Sequence, residues 1–439
     1  MYRKAFKKTT WKYPGGPDCR FALRSFVLYM TALTDYQAGV MCMVQWRRNL
    51  YVIFFVQVLS LSGFSIVVPF LPLYLKELDV VTGGSAAFWS GMVFSSQAVA
   101  MMISAPFWGA AADRYGRKLM LVRASLGGAV LLAAMGFVSN AEQLTLLRLL
   151  QGFVSGTIPA ANALVAATTP KEHTGEALGM VQMGAWVGVA IGPLIGGIIG
   201  DTLGFRESFW VTGALLAMAG IAAMFWVHED FRPVAKANRP KMMEGFRIVL
   251  RIPNMFGLYS EAFLQSFGRT LIFPIAALFV AELMGNRPGV ATVTGLVLGV
   301  RAVTGSLSTV WLGRLSDRIG HARVLFVSFA AVVLAYLPQP FVSSAWQLVL
   351  LQGLTGFAEG GILPAIGALM NLRIPPGSQG ATYGLNSSVN SAGRCLAPML
   401  GAVFAIWFGL RSVFGVAAAA YGVAAFVAWR IKRSARAEV

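Results

Sequence analysis

The chain has 439 residues, 56% of them hydrophobic and 12% charged, with a formal net charge of +18. Soluble proteins carry roughly 25% charged residues, so this composition excludes a water-facing surface over most of the chain. The positive charge would suit nucleic acid, but its placement argues otherwise, because basic residues fall in short bursts between long apolar runs, a pattern suited to an anionic cytoplasmic leaflet. The cysteines (Cys19, Cys42, Cys395) lack metal or redox spacing, and the histidines (His173, His228, His321) fall in loops. No G-x4-G-K-[S/T] phosphate loop occurs. No cofactor, metal site or ATP hydrolysis is expected.

In chain order, residues 1–45 read as a basic N-terminal extension. Lys4, Lys7, Lys8 and Lys12 precede Pro14-Gly15-Gly16-Pro17, and a moderately apolar stretch from Phe21 to Val44 is interrupted by Arg24 and Asp35. It lacks the clean apolar core and cleavage site of a signal peptide. Disorder, an upstream start with Met41 or Met43 as the natural one, or an interfacial helix are the readings open for it. Twelve apolar stretches of membrane-spanning length follow, near 50–75, 88–110, 119–138, 142–165, 177–200, 208–227, 256–281, 290–312, 323–342, 346–370, 380–406 and 412–430. The division expected is a first six-helix bundle over 46–227, a basic linker over 228–255 containing Pro233, Pro240 and Pro253, a second six-helix bundle over 256–433, and a tail over 434–439. The fold class is an all-α membrane protein.

With twelve spans both termini share a side. One set of loops carries nineteen basic residues, among them Arg114, Arg117, Lys118 and Arg318, against Lys76, Arg206, Arg287 and Arg411 on the other. The positive-inside bias expects both termini in the cytoplasm.

An internal repeat runs through the chain. Gly109-Ala-Ala-Ala-Asp113-Arg114-Tyr-Gly116 returns 204 residues later as Gly313-Arg-Leu-Ser-Asp317-Arg318-Ile-Gly320. Pro159, Gly175, Gly179, Pro193, Gly196, Gly204, Arg206 and Phe209 return after 205 as Pro364, Gly380, Gly384, Pro398, Gly401, Gly409, Arg411 and Phe414. Two parallel, pseudo-symmetric halves are an architecture of secondary transporters, with the substrate site near mid-membrane between them. A duplicated membrane protein without transport is the plainer alternative.

Two motifs carry a mechanism. The segment Gly109 to Lys118 links spans 2 and 3; its glycines suit a tight turn. The carboxylate of Asp113 suits a helix N-terminal dipole or a pair with Arg114 or Arg117. Such a cluster would latch the cytoplasmic ends of the bundles. In span 5, Gly184, Gly188, Gly192 and Gly196 recur every four residues beside Pro193 and Gly197. That stripe allows close backbone approach, and Pro193 a bend.

The first segment resembles the major facilitator signature, and Gly188-x3-Gly192-Pro193-x2-Gly196-Gly197 resembles the antiporter motif of its drug–proton exchangers. Arg148-x2-Gln151-Gly152 is similar to a third signature, whose arginine is associated with proton coupling. Val68-Pro69-Phe70-Leu71-Pro72-Leu73-Tyr74 and Pro106-Phe107-Trp108-Gly109 look like the tetracycline and multidrug exporters, the MdtG-type branch among them. The resemblance covers residues 46 to 433 and implies the major facilitator fold, with proton-driven efflux. The second copy of the span 5 motif is degenerate (Ala397-Pro398-x2-Gly401-Ala402).

Charges inside apolar spans are costly and usually functional. Glu359, among Gly356, Gly360 and Gly361, is the first candidate for a proton carrier, against a structural ion pair with Arg394 or Arg301. Glu261, Gln265 and Arg269 form an i, i+4, i+8 stripe on span 7, with Glu261 a second coupling candidate and an intrahelical ladder the alternative. Arg148 completes the coupling set. Arg269, Arg301, Arg394 and Gln265 are candidates for the substrate cavity. Four arginines against two glutamates favour anionic or zwitterionic amphiphiles. Phe54, Phe55, Phe64, Trp186, Tyr259, Phe263, Phe267 and Phe273 are candidates for an apolar lining. The expectation is a monomeric exporter in a bacterial inner membrane, exchanging a drug-like amphiphile for protons. The rivals are an inward symporter of metabolites or sugars and a lipid-moving or membrane-assembly protein. No nucleophile–base constellation suggests an enzyme.

Overall fold

A computed structural model describes residues 45–170, 173–229, 231, 255–285, 287–373 and 379–437. The N-terminal extension, up to residue 44, and most of the linker lie outside these. The described residues from Asn49 onwards form one compact unit. Among the described residues twelve helices have the length and hydropathy of membrane spans: α1 (Gln45–Ile66), α2 (Ala86–Tyr115), α3 (Arg117–Met135), α4 (Ala141–Thr168), α5 (Thr174–Thr202), α6 (Phe205–Trp226), α7 (Met255–Met284), α8 (Val290–Ile319), α9 (His321–Phe341), α10 (Ala345–Asn371), α11 (Gln379–Phe408) and α12 (Ser412–Ala437). The twelve expected spans are all present.

Local chemistry sets the helix starts. Ser85 accepts from the N–H of Phe88 at the head of α2, Asn140 from Gln143 at the head of α4, and Ser344 forms a capping box with Gln347 at the head of α10. One expectation is corrected here. The segment from Gly109 is not a loop, because α2 continues through it to Tyr115 and the chain reverses at Gly116 alone. Gly116 has φ 99° and its repeat Gly320 φ 98°, a region open to glycine but strained for other residues. Gly109 and Gly313 sit within helices, where no turn is made.

Four helices are interrupted. α1 ends before a tight turn and resumes as Leu71–Glu77; α4 breaks at Ser155–Gly156, α7 between Thr270 and Phe273, and α10 between Glu359 and Ile362. Freed backbone groups at membrane depth are tolerated where they are buried in protein or line a cavity. Each half has its own core. Ile66, Phe70, Tyr74, Leu132 and Phe209 anchor the first, and Ile275, Phe279, Phe329, Tyr336, Phe414 and Tyr421 the second.

The halves meet at the end of the molecule opposite the start of α1 and the end of α12. There Gly91 of α2 lies against Pro398 and Met399 of α11, Gly295 of α8 lies against the Pro193 carbonyl of α5, and Phe94 packs on Phe273 with ring centroids 6.2 Å apart. At the terminus end, Gly109, Gly175 and Gly179 face open space where a side chain would sit. The bundles are therefore closed against each other where α5 meets α8 and α2 meets α11.

Candidate functional site

The second half holds a buried polar cluster built on α8, α9, α10 and α12. Arg301 donates to both oxygens of Glu359, from NH2 to Oε1 at 2.6 Å and from Nε to Oε2 at 3.2 Å. The Tyr421 hydroxyl also donates to Glu359 Oε1. Arg301 NH1 reaches Gln352 Oε1 at 3.2 Å, Gln352 donates to Gln339, and Gln339 to Thr355. Tyr336 stacks on Tyr421. Glu359 is thus held by a two-point ion pair with Arg301, one of the two structural partners its sequence position allowed. Such fork-to-fork pairing is directional as well as strong.

The first half repeats this geometry with the chemistry exchanged. Arg148 on α4 donates from NH1 to Gln97 Oε1 on α2 at 3.2 Å, and to Gln151 at 3.2 Å. Gln97 and Arg301 are 204 positions apart, as are Arg148 and Gln352. Each bundle therefore has one arginine–glutamine bond across the same pair of helices, with the arginine on opposite partners. Only the second has a carboxylate. Arg148 is buried, its Nε has no hydrogen-bond partner, and it makes no salt bridge among the described residues.

The third polar position follows the same offset. Glu261 on α7 and Gln57 on α1 are 204 apart, and both are fully buried. Neither Glu261 oxygen and neither Gln57 amide atom has a hydrogen-bond partner among the described residues. The basic group acting on Glu261 is Arg373, at the terminus end of α10; it forms no salt bridge with it, and its NH1 is likewise without a partner. An intrahelical ladder with Gln265 and Arg269 is not formed, because Glu261 takes no bond from either. Gln265 is buried, its backbone carbonyl taking the Tyr421 hydroxyl at 3.3 Å.

Further along α7, Arg269 is half-buried with its guanidinium 5.3 Å from the ring centre of Trp186 on α5, a contact between the two halves. Arg394 on α11 is exposed and bonds only Ser391 among the described residues, at 3.3 Å. Of the aromatic candidates, Phe263 stacks on Phe267, Phe273 joins the inter-bundle contact, and Phe55 is 62% exposed.

The motif residues divide by location. Arg114, Asp317 and Arg318 are exposed and make no salt bridge among the described residues; Arg114 lies 5.0 Å from the Tyr115 ring centre. The side chain of Asp113 lies outside the described set. The N-terminus of α3 is instead capped from the start of the linker. The Glu229 carboxylate accepts from the backbone N–H of Arg117 at 3.1 Å and of Lys118 at 2.7 Å, and lies 3.9 Å from the Arg117 guanidinium. In α5, Gly188, Gly192 and Gly196 lie against the α1 backbone from Val58 to Ile66, and Gly197 against Ala291 and Thr292 of α8. A Cβ at Gly196 would overlap the Ile66 carbonyl. At the end of that helix Asp201 accepts from the N–H groups of Ala291 at 3.2 Å and Thr292 at 2.6 Å, capping α8 from the other half. The N-cap of α8 itself is Gly289, which supplies no side chain.

Gln57, Gln97, Asp201 and Glu229 escaped the sequence reading. The first two were accessible through the 204-residue offset applied to polar positions; Asp201 and Glu229 look like ordinary charges at span ends until the packing is known.

The profile of the Major Facilitator Superfamily matches residues 53–262 and 258–439. The chain is 36% identical over 396 residues to the multidrug resistance protein MdtG of Salmonella dublin, covering 90% of this chain and 97% of that protein. It is also 36% identical over 389 residues to MdtG of Salmonella arizonae, covering 88% and 96%. In fold it is similar to the nucleoside transporter NupG, with TM-score 0.73, 16% identity and coverage of 88% of this chain and 99% of that one. The human organic anion transporter MFSD10 matches with TM-score 0.63, 18% identity and coverage of 87% and 99%.

Proposed function

Because this chain belongs to the Major Facilitator Superfamily, we propose that it is a multidrug exporter, expelling drug-like or amphiphilic organic compounds across the inner membrane in exchange for protons. The multidrug part of this reading is supported by the MdtG relatives. The proton part is supported by one observation, the unequal state of the two buried acids within the spans. Glu359 has every strong donor it needs from Arg301 and Tyr421, which suits a structural strut. Glu261 is fully buried with no hydrogen-bond donor at either oxygen among the described residues, so no bond there holds it as an anion. Glu261 carries the proton in this reading, and Arg373 is the charge whose approach or withdrawal would gate its release.

With both termini cytoplasmic, the closed end faces the outside, and in this reading the opposite end opens to the cytoplasm. Substrate enters from the cytoplasm as the proton leaves Glu261; rocking of the halves about the α5–α8 and α2–α11 contacts then exposes the site outward, where substrate leaves and a proton returns. Arg148 senses the exchange from the first half, and the exposed Asp317–Arg318 segment and its repeat close the cytoplasmic end in the opposite state. The protein works as a monomer.

The test uses proteoliposomes with an imposed pH gradient and a panel of anionic, neutral and cationic amphiphiles. Movement of a panel compound opposite to the proton, abolished by an ionophore, is expected. Co-movement with the proton, or flux indifferent to the gradient, contradicts exchange.

A further inference from the structure

Three mid-membrane residues come together where the halves face each other. Arg269 lies in the middle of α7, Arg394 in the middle of α11 and Trp186 in the middle of α5. All three are accessible at a depth where an exposed side chain faces either lipid or an internal cavity. Lipid is excluded for Arg269 and Trp186 by their mutual contact, 5.3 Å across the two halves. Arg394 is on the same side. α7 and α11 pack closely at this level, with the Ser266 hydroxyl donating to the Asn390 carbonyl at 2.8 Å and Gly393 against the Phe263 carbonyl, and Arg269 is the charge that acts on Arg394.

Two like charges in a partly dehydrated cleft repel, and neither has a carboxylate within salt-bridge distance among the described residues. Glu359 feels Arg269 but is already engaged by Arg301. An unneutralised cationic pair at membrane depth is costly, and a ligand anion relieves it. Trp186 adds an apolar face beside the charge, contributed by the opposite half.

We propose that Arg269, Arg394 and Trp186 form the head-group site for an organic anion, one bearing a carboxylate or sulfonate beside an aromatic or other flat apolar body. The guanidinium groups take the anion, with the fork geometry that suits carboxylates, and the indole takes the adjoining ring. Because the arginines belong to one half and the tryptophan to the other, such a ligand bridges the two moving parts. The inference rests on the export reading only in placing this cleft on the transport path.

The experiment is equilibrium binding to the purified full chain in lipid nanodiscs. The probes are 2-naphthoate and, as the size-matched cation, (2-naphthylmethyl)trimethylammonium. Naphthoate is expected to bind more tightly than the cation. Arg269→Gln and Arg394→Gln should each weaken naphthoate by at least about tenfold, Arg269→Lys and Arg394→Lys should retain part of the affinity, and Trp186→Ala should weaken both probes. Unfolding temperature is followed for every variant, so that loss of binding in a folded protein is separated from loss of the fold. Unchanged naphthoate affinity in the glutamine variants overturns the proposal, as does tighter binding of the cation or no naphthoate binding at all. None of these outcomes decides proton exchange, which the gradient assay reads with the whole panel.

Discussion

Replacing Arg301 with methionine should lower the stability of the protein by about 3–5 kcal/mol, seen as a fall in the unfolding temperature of the purified chain in detergent. The loss comes less from the missing bonds than from what remains. Glu359 would keep only the Tyr421 hydroxyl while staying enclosed by α8, α10 and α12, and the Gln352 carbonyl oxygen would lose its donor. Removing the acid as well should restore most of the loss, because apolar replacement of a whole buried pair is often neutral. Arg301→Met with Glu359→Leu is therefore expected to be close to wild type in stability. Additive losses in the double variant would contradict the view that Glu359 is primarily a partner for Arg301.

The second large effect concerns Asp201. Its carboxylate holds two N–H groups at the head of α8 from the end of α5, across the two halves. Hydrogen bonds to a charged group contribute about 1.5–3 kcal/mol. Since these bonds exist only while this end is closed, Asp201→Ala should shift the balance towards the form open at this end by about tenfold to a hundredfold. Spin labels at Val81 and Trp407, both exposed and on opposite halves at this end, should report a longer distance population in the variant. Asp201→Asn, which retains one acceptor oxygen, should fall between. Identical distance distributions in all three proteins would show that the cap plays no part in closure.

What could be read beforehand depended on the range of the interactions concerned. The twelve spans follow from apolar runs, and the two halves from repeated glycines and prolines, both legible along the chain. The extent of α2 was misjudged because Gly109 was counted with Gly116 towards a turn, whereas Gly116 alone, like its repeat Gly320, adopts the positive φ that a turn there requires. Pairing was harder. Arg301 and Glu359 are 58 residues apart, and the choice between Arg301 and Arg394 depends on how α8 and α11 are rotated about their own axes. Glu261 read as one member of a polar stripe along α7; its enclosure comes from packing that no local pattern specifies. The exchanged arginine and glutamine of the two halves, by contrast, were already present in the repeat.

The most direct test of the account compares proton movement in everted vesicles containing wild type, Glu261→Gln, and the paired Arg301→Met/Glu359→Leu variant. Each is challenged with a panel compound that collapses the pH gradient in wild type. The account predicts that the paired variant still collapses the gradient, while Glu261→Gln, folded and inserted to the same level, leaves it intact. Coupling preserved in Glu261→Gln but lost in the paired variant would contradict it and assign the proton to Glu359.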